Sequence, residues 1–307
     1  RAPERRLMQR PEVAAVLAGL RQRQREEAGR PPRPVEETRA EFVPADALHP
    51  IPPDVRVSEV TPGGVVAYWL DAPHADPRRA VLFLHGGGFQ LGSLTSDGEL
   101  ASRIGRAAGV RVLFLEYRLA PEHPFPAALD DVRAAWSWLT GDRGLDPWSL
   151  AVAGDSAGGG LAVSLLVAER DAGGPLPSAA VLMSPTVDLT GSGSSMTDRV
   201  DEDPISTPDL LRRLADDYLA GTDPRAPLAS PLFARLSELP PPLIQVGTAD
   251  LFFSGAQRLA DAAAQAGVPV TLEVGEGLPH VYQLDAGTPE AQSATERIGT
   301  FLLSHLR

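Results

Sequence analysis

The apolar run Leu150-Ala151-Val152 leads through Ala153 into Gly154-Asp155-Ser156-Ala157-Gly158-Gly159-Gly160, and this stretch constrains the chain more than any other. It fits G-x-S-x-G, a sharp strand-to-helix bend that stands a serine hydroxyl clear of a sheet. Serine in such a bend has a strained backbone, so Gly154 and Gly158 must let neighbouring chain pass where a Cβ would stand in the way. The flanks agree with that reading. A β-prone run precedes the turn, and Leu161, Leu165 and Leu166 follow it at helical spacing.

Around the turn, strand-sized and helix-sized patterns alternate. Strands are predicted at 80–84, 111–116, 149–153, 179–183, 243–247 and 268–274, with helices near 97–108, 126–140, 157–171, 255–266 and 289–306. Such alternation predicts an α/β architecture, a mostly parallel sheet covered by helices on both faces. Two earlier runs, 55–60 and 65–70, are joined by Thr61-Pro62-Gly63-Gly64 and predict an antiparallel hairpin at the start of the sheet. Leu7, Val13, Val16, Leu17 and Leu20 have helical spacing, and an Arg- and Pro-rich connector follows at 30–34. One or two helices lying on the main body are expected there. Between Leu189 and Pro242 no strand is predicted. Proline-punctuated chain surrounds a helix at 209–219, which reads as a lid over the sheet.

Composition narrows the chemistry. The 307 residues are 43% hydrophobic, enough for one large domain. No cysteine is present, which removes disulfides, thiolate metal sites and a cysteine nucleophile. Every basic residue besides histidine is arginine, so no lysine Schiff base or P-loop lysine is available. A formal net charge of −12 argues against nucleic-acid binding. The apolar runs are too short for a membrane span, and Arg1–Arg6 lacks the apolar core of a signal peptide. A cytoplasmic location is expected.

A serine hydroxyl needs a base, and the base needs a group to orient it. On a sheet of this kind the partners follow the serine as acid, then histidine. Only His280 and His305 lie downstream of Ser156. His280 follows a predicted strand, whereas His305 ends the last helix, so His280 is the candidate base. Asp250 follows the strand at 243–247 and is the candidate acid. An N-cap is its plain alternative, and Asp261 inside a helix is a poor rival. The run His85-Gly86-Gly87-Gly88-Phe89 can converge backbone N–H groups on a developing oxyanion, with the Ala157 N–H as a further donor. It lacks the G-x-G-x-x-G and G-K-[ST] patterns of a phosphate cradle.

Together, His85-Gly86-Gly87-Gly88-Phe89, the run Tyr117–Ala128 (YRLAPEHPFPAA) and Gly154-Asp155-Ser156-Ala157-Gly158-Gly159 resemble the bacterial hormone-sensitive-lipase family of α/β-hydrolases from about residue 50 onward. Leu243–Gly247 with His280–Leu284 is similar to a branch that includes monoterpene lactone hydrolases. The resemblance implies an α/β-hydrolase fold with an eight-stranded, mostly parallel sheet. It implies a carboxylesterase of short- to medium-chain acyl esters, needing neither cofactor nor metal. Ser156, Asp250 and His280 would be the triad, and Gly87, Gly88 and Ala157 the oxyanion donors. The cap would comprise 1–50 and 189–230, with the core divided into 51–188 and 231–307. A homodimer through strand 268–274 is expected. Phe89, Val187, Leu189, Phe252, Val281 and Tyr282 are pocket candidates, each with an ordinary core role as the alternative. A lactonase, an amidase, a drug-ester hydrolase and a non-catalytic binder are the competing functions.

Three positions depart from the family pattern. Gly160 stands where Asn is usual, Leu251-Phe252-Phe253-Ser254 replaces Pro-Leu-x-Asp and so lacks an accessory carboxylate, and Val281-Tyr282 replaces Gly-Phe. His85 is expected to hold the glycine loop through a ring hydrogen bond, Asp155 to organise the elbow, and Glu116, Tyr117 and Arg118 to fix the loop beneath it. His123 is expected to lie outside the chemistry. The acidic residues near 198–203 and 216–217 read as solvated faces of the cap.

Overall fold

The computed structural model describes residues 10–27, 33–46 and 49–307; Leu7, Arg1–Arg6 and the first part of the connector lie outside the described residues. Two helices come first, α1 (Pro11–Glu27) and α2 (Val35–Asp46). The sheet then opens with β1 (Arg56–Val60), β2 (Ala67–Asp71) and β3 (Asp76–Leu84). Next come α3 (Leu94–Ala108), β4 (Val110–Leu115), α4 (Ala127–Ser137), β5 (Leu150–Asp155), α5 (Ala157–Ala172) and β6 (Ala179–Met183). The short α6 (Ser195–Asp198) and the longer α7 (Pro208–Leu219) occupy the stretch without strands. The chain ends through β7 (Pro242–Ala249), α8 (Phe253–Gln265), β8 (Thr271–Pro279) and α9 (Pro289–His305).

All eight strands form one sheet in the order β1-β2-β4-β3-β5-β6-β7-β8. β1 and β2 form the antiparallel hairpin, β2 also pairs antiparallel with β4, and every later pairing is parallel. Parallel strands are buried on both faces, which is why their sequences read as unbroken apolar runs. Leu82, Leu84, Leu113, Leu115 and Val152 face α4, α5 and α8, in one core with Leu129, Leu161, Leu165 and Leu259. The alternate residues Val81, Phe83, Val112, Phe114 and Ala153 share a second core with Leu100 and Ile104 of α3 and Ile298 and Leu302 of α9. The period of two along each strand thus sends successive side chains into different cores.

The last strand is the one element that moves from its expected place. β8 runs over Thr271–Pro279, whereas the apolar pattern suggested 268–274. Val268 is buried and its N–H bonds the Ala263 carbonyl at 3.0 Å, so it closes the helix turn. The consequence is useful: β8 ends directly before His280, and β7 directly before Asp250. Among the described residues no helix is long and apolar enough to cross a membrane.

Candidate active site

Ser156 is the single residue between β5 and α5 and has φ +49°, the backbone strain the glycine pattern implied. The bend is held by backbone bonds: Ser156 N–H to the Met183 carbonyl and Thr186 N–H to the Ser156 carbonyl, both 2.8 Å. A Cβ on Gly158 would collide with the Leu84 carbonyl oxygen. Gly160 has the same kind of cause, since its Cβ would run into the Thr186 carbonyl oxygen. Glycine at 160 is therefore accounted for by the close approach of the 184–187 loop.

The parallel pairing of β7 and β8 brings Asp250 and His280 side by side. His280 Nδ1 lies 3.1 Å from both Asp250 carboxylate oxygens, and Nε2 lies 2.9 Å from Ser156 Oγ. The Asp250 side chain is fully buried, and the His280 side chain is 11% exposed. Nδ1–H donates to the carboxylate, which leaves Nε2 to accept from the serine hydroxyl. Burial works to lower the His280 pKa, but the charge and hydrogen bond of Asp250, helped by the charge of Asp203, outweigh it and raise it above the ordinary imidazole value. The Val281 N–H bonds Ser184 Oγ at 3.1 Å, fastening the His280 loop to the end of β6. His305 bonds its own helix at the Phe301 carbonyl, and Asp261 is exposed on α8.

The glycine loop leaves β3 beside the serine. Gly87 has φ +105° and Gly88 φ +62°, and a Cβ on Gly87 would strike the Leu91 carbonyl. Among the described residues the Gly87 and Gly88 N–H groups donate to no protein acceptor. Ala157 opens α5, where N–H groups have no intrahelical partner. His85 is buried beneath the loop, its Nδ1–H bonds the Gly86 carbonyl at 2.8 Å, and its ring stacks on Tyr117 at 4.2 Å. Burial pushes its pKa down to about 4, so the ring is neutral. The Tyr117 hydroxyl donates to the His85 carbonyl at 2.7 Å, Glu116 accepts the Leu94 N–H at 2.7 Å, and Arg118 pairs with Asp131 on α4. His123 is exposed.

Asp155 is buried next to the serine, and the nearby Asp97 charge opposes its ionisation. Burial first, and the Asp97 charge second, hold the Asp155 pKa well above the carboxylate range. This pair supports the elbow from below. Asp97 carried no signal in the sequence beyond a polar residue near a helix start.

The pocket candidates separate. Val187 and Phe252 line a shallow, narrow cleft together with Met196 and Gly255, and the Phe252 ring lies 4.6 Å from that of His280. Phe89 stacks on Tyr218 of α7 at 3.7 Å, and Leu189 packs beside Ala215 and Leu219. Val281 is buried in the His280 loop, and Tyr282 packs against Val13 and Leu17 of α1. Among the described residues no group of acidic or histidine side chains could hold a metal ion.

Two acidic residues expected on solvated faces have partners instead. Asp217 accepts from Gln90 Nε2 at 2.7 Å, tying α7 to the glycine loop. Asp203 is 2% exposed, and its carboxylate accepts from the Leu251 N–H at 2.9 Å and from the Ile205 and Ser206 N–H groups at 2.8 Å each. A carboxylate thus reaches the Asp250 loop although Ser254 replaced the acidic residue in the sequence. The sequence placed Asp203 on a solvated cap face, because its partner Leu251 lies 48 residues away.

Residues 81–284 match the model of a family described by its alpha/beta hydrolase fold. A crystal structure of an esterase from the bacterial hormone-sensitive lipase family superposes with a TM-score of 0.92 at 41% identity, covering 97% of this chain and 99% of that one. The chain belongs to that family. An acetyl-hydrolase of Streptomyces hygroscopicus is 47% identical over 244 residues, 79% of this chain and 81% of the relative. The carboxylesterase NlhH of Mycobacterium tuberculosis is 34% identical over 261 residues, 80% of this chain and 81% of its own. Membership makes the protein a serine carboxylesterase acting on small esters, and the competing lactonase, amidase and binder readings gain nothing from these relatives.

Proposed function

We propose that Ser156 is the nucleophile, His280 the general base and Asp250 its orienting acid, acting on short- to medium-chain acyl esters. The observation that carries the reading is the unbroken hydrogen-bond chain from the buried Asp250 carboxylate through His280 to Ser156 Oγ. His280 takes the hydroxyl proton as Ser156 attacks the ester carbonyl, and Asp250 stabilises the imidazolium. The Gly87, Gly88 and Ala157 N–H groups would receive the oxyanion, each donor lowering the barrier by ~3 kcal/mol. His280 then protonates the leaving alcohol and activates water to cleave the acyl-enzyme.

Residues 1–50 and 189–230 would form the cap, with 51–188 and 231–307 as the hydrolase core. The cleft at Val187 and Phe252 is the candidate acyl or alcohol subsite. A crystal of a relative, EstE5, was soaked with p-nitrophenyl butyrate, an ester in the proposed range. A homodimer through β8 is part of the same reading, since β8 ends the sheet and Val274 is exposed on it. A cytoplasmic location follows from the composition. Ser156→Ala is expected to abolish p-nitrophenyl acetate and butyrate turnover and fluorophosphonate labelling while leaving the circular dichroism spectrum unchanged. Retained turnover would refute the nucleophile assignment.

A further inference from the structure

We propose that Asp203 is a positioning residue for the esterase reaction, a carboxylate delivered from the 189–230 segment that fixes the Asp250 loop and supports the protonated form of His280. The inference rests on the triad reading and deepens it.

The geometry is that of a built anchor. Asp203 is almost wholly buried, and three backbone N–H groups converge on its two oxygens, two from its own turn and one from Leu251. Three such donors stabilise the ionised form, and burying a charge is costly unless it is satisfied in this way. The bond to Leu251 depends on a departure of this chain. Proline, usual at that position in the family pattern, has no N–H to donate, whereas leucine has one. With leucine in place of that proline, and Ser254 in place of an acidic residue, the carboxylate that reaches this loop comes from the other side of the site.

The turn bearing Asp203 is itself held. Gln24 of α1 donates to the Asp203 carbonyl at 3.2 Å, and Ser195 N–H, farther along the same segment, bonds Ser254 Oγ at 3.2 Å. The Asp250 loop is thus bounded by strand β7 on one side and by Asp203 on the other. The charged groups that act on His280 are Asp250, within hydrogen-bond distance of Nδ1, and Asp203, bonded to the Asp250 loop at Leu251; the Ser156 hydroxyl and the Phe252 ring are its neutral neighbours. The Asp203 pKa is raised, by burial first and by the Asp250 charge second, while the His280 charge works to lower it. The Asp203 charge is therefore set against Asp250 in the resting enzyme and is relieved when His280 gains a proton. That is the moment at which Ser156 attacks.

The sign of the pH effect follows. His280 must be neutral to act as base, so kcat/KM falls as pH drops through its pKa. The Asp203 charge favours imidazolium, so removing it lowers that pKa and moves the acid limb of kcat/KM to lower pH. In Asp203→Asn, one acceptor oxygen becomes an NH2 that cannot accept from Leu251. The expected result with p-nitrophenyl butyrate is a kcat lower by at least about tenfold, KM within about twofold, and an acid limb displaced downward. Leu251→Pro removes the donor and leaves the charge, so kcat falls while the acid limb stays. It decides the tether even where Asp203→Asn does not fold. An acid limb in Asp203→Asn that coincides with the parent, a loss confined to KM, or full kcat in Leu251→Pro would overturn the proposal. Ser156→Ala run alongside separates the two readings. Activity in that variant defeats the triad, whereas an inactive Ser156→Ala with a normal Asp203→Asn defeats only the role of Asp203.

Discussion

At the scale of single residues, the site is assembled by close backbone approaches more than by side-chain bulk. Gly160 makes the point. Its helical position alone would favour almost any residue but proline, since glycine costs ~1 kcal/mol against alanine inside a helix. The Thr186 carbonyl oxygen occupies the space a Cβ would need, and Thr186 is pinned by its bond to the Ser156 carbonyl. Overpacking of that kind costs about 1–3 kcal/mol, so crowding wins. Gly160→Asn, although it restores the residue common in the family, is expected to lower the unfolding free energy from urea titration by about 1–3 kcal/mol and to reduce ester turnover as the elbow shifts. Equal or higher stability would show that the 184–187 loop yields. Ser156, Asp250 and His280 were legible from residue type and order, because the chemistry admits few alternatives downstream of a serine elbow. Asp203 and Asp97 were not legible. A carboxylate in a polar run gives no sign of whether it faces water or a distant amide, and both contacts join segments far apart in the chain.

At the scale of elements, α7 is bound to the glycine loop rather than resting above it. Tyr218 stacks on Phe89 with the rings 8° from parallel, Leu214 stands 2.6 Å from where a Cβ on Gly88 would be, and Asp217 accepts from Gln90. From α2, Arg39 Nε donates to the Gln90 carbonyl at 2.8 Å and its guanidinium grips Glu122. The loop offered as oxyanion donor is therefore shaped by two helices outside the sheet. Tyr218→Ala is expected to lower kcat on p-nitrophenyl butyrate by at least about tenfold, equivalent to about 1.4 kcal/mol at the transition state. Tyr218→Phe keeps the ring and is expected to stay within about twofold in steady-state assays. The helix at 209–219 was visible in the sequence as a helical stretch among prolines. Its docking partner was not, since Phe89 and Tyr218 lie far apart in the chain. The strands were read correctly wherever both faces are buried. β8, half-exposed at the edge, lacked the continuous apolar signal that fixes a boundary, and Val268 drew the expected strand toward a turn.

At the scale of the whole molecule, the machinery is divided unevenly across the sheet. Ser156 and the glycine loop issue from central strands β5 and β3, each flanked on both sides, while His280 hangs from the end of β8, which has a neighbour on one side only. What covers that end is α1, through Val13 and Leu17 against Leu278 and Tyr282. Local opening begins where strands are unpaired and buried contacts are few. The reaction thus depends on one open border of the fold. In rising urea, esterase activity is expected to vanish at a lower concentration than the circular dichroism signal, and truncating Leu17 to Ala should widen that interval; coincident curves would count against it. The working range of such an enzyme is set by the fraying of one margin, well before the sheet as a whole gives way.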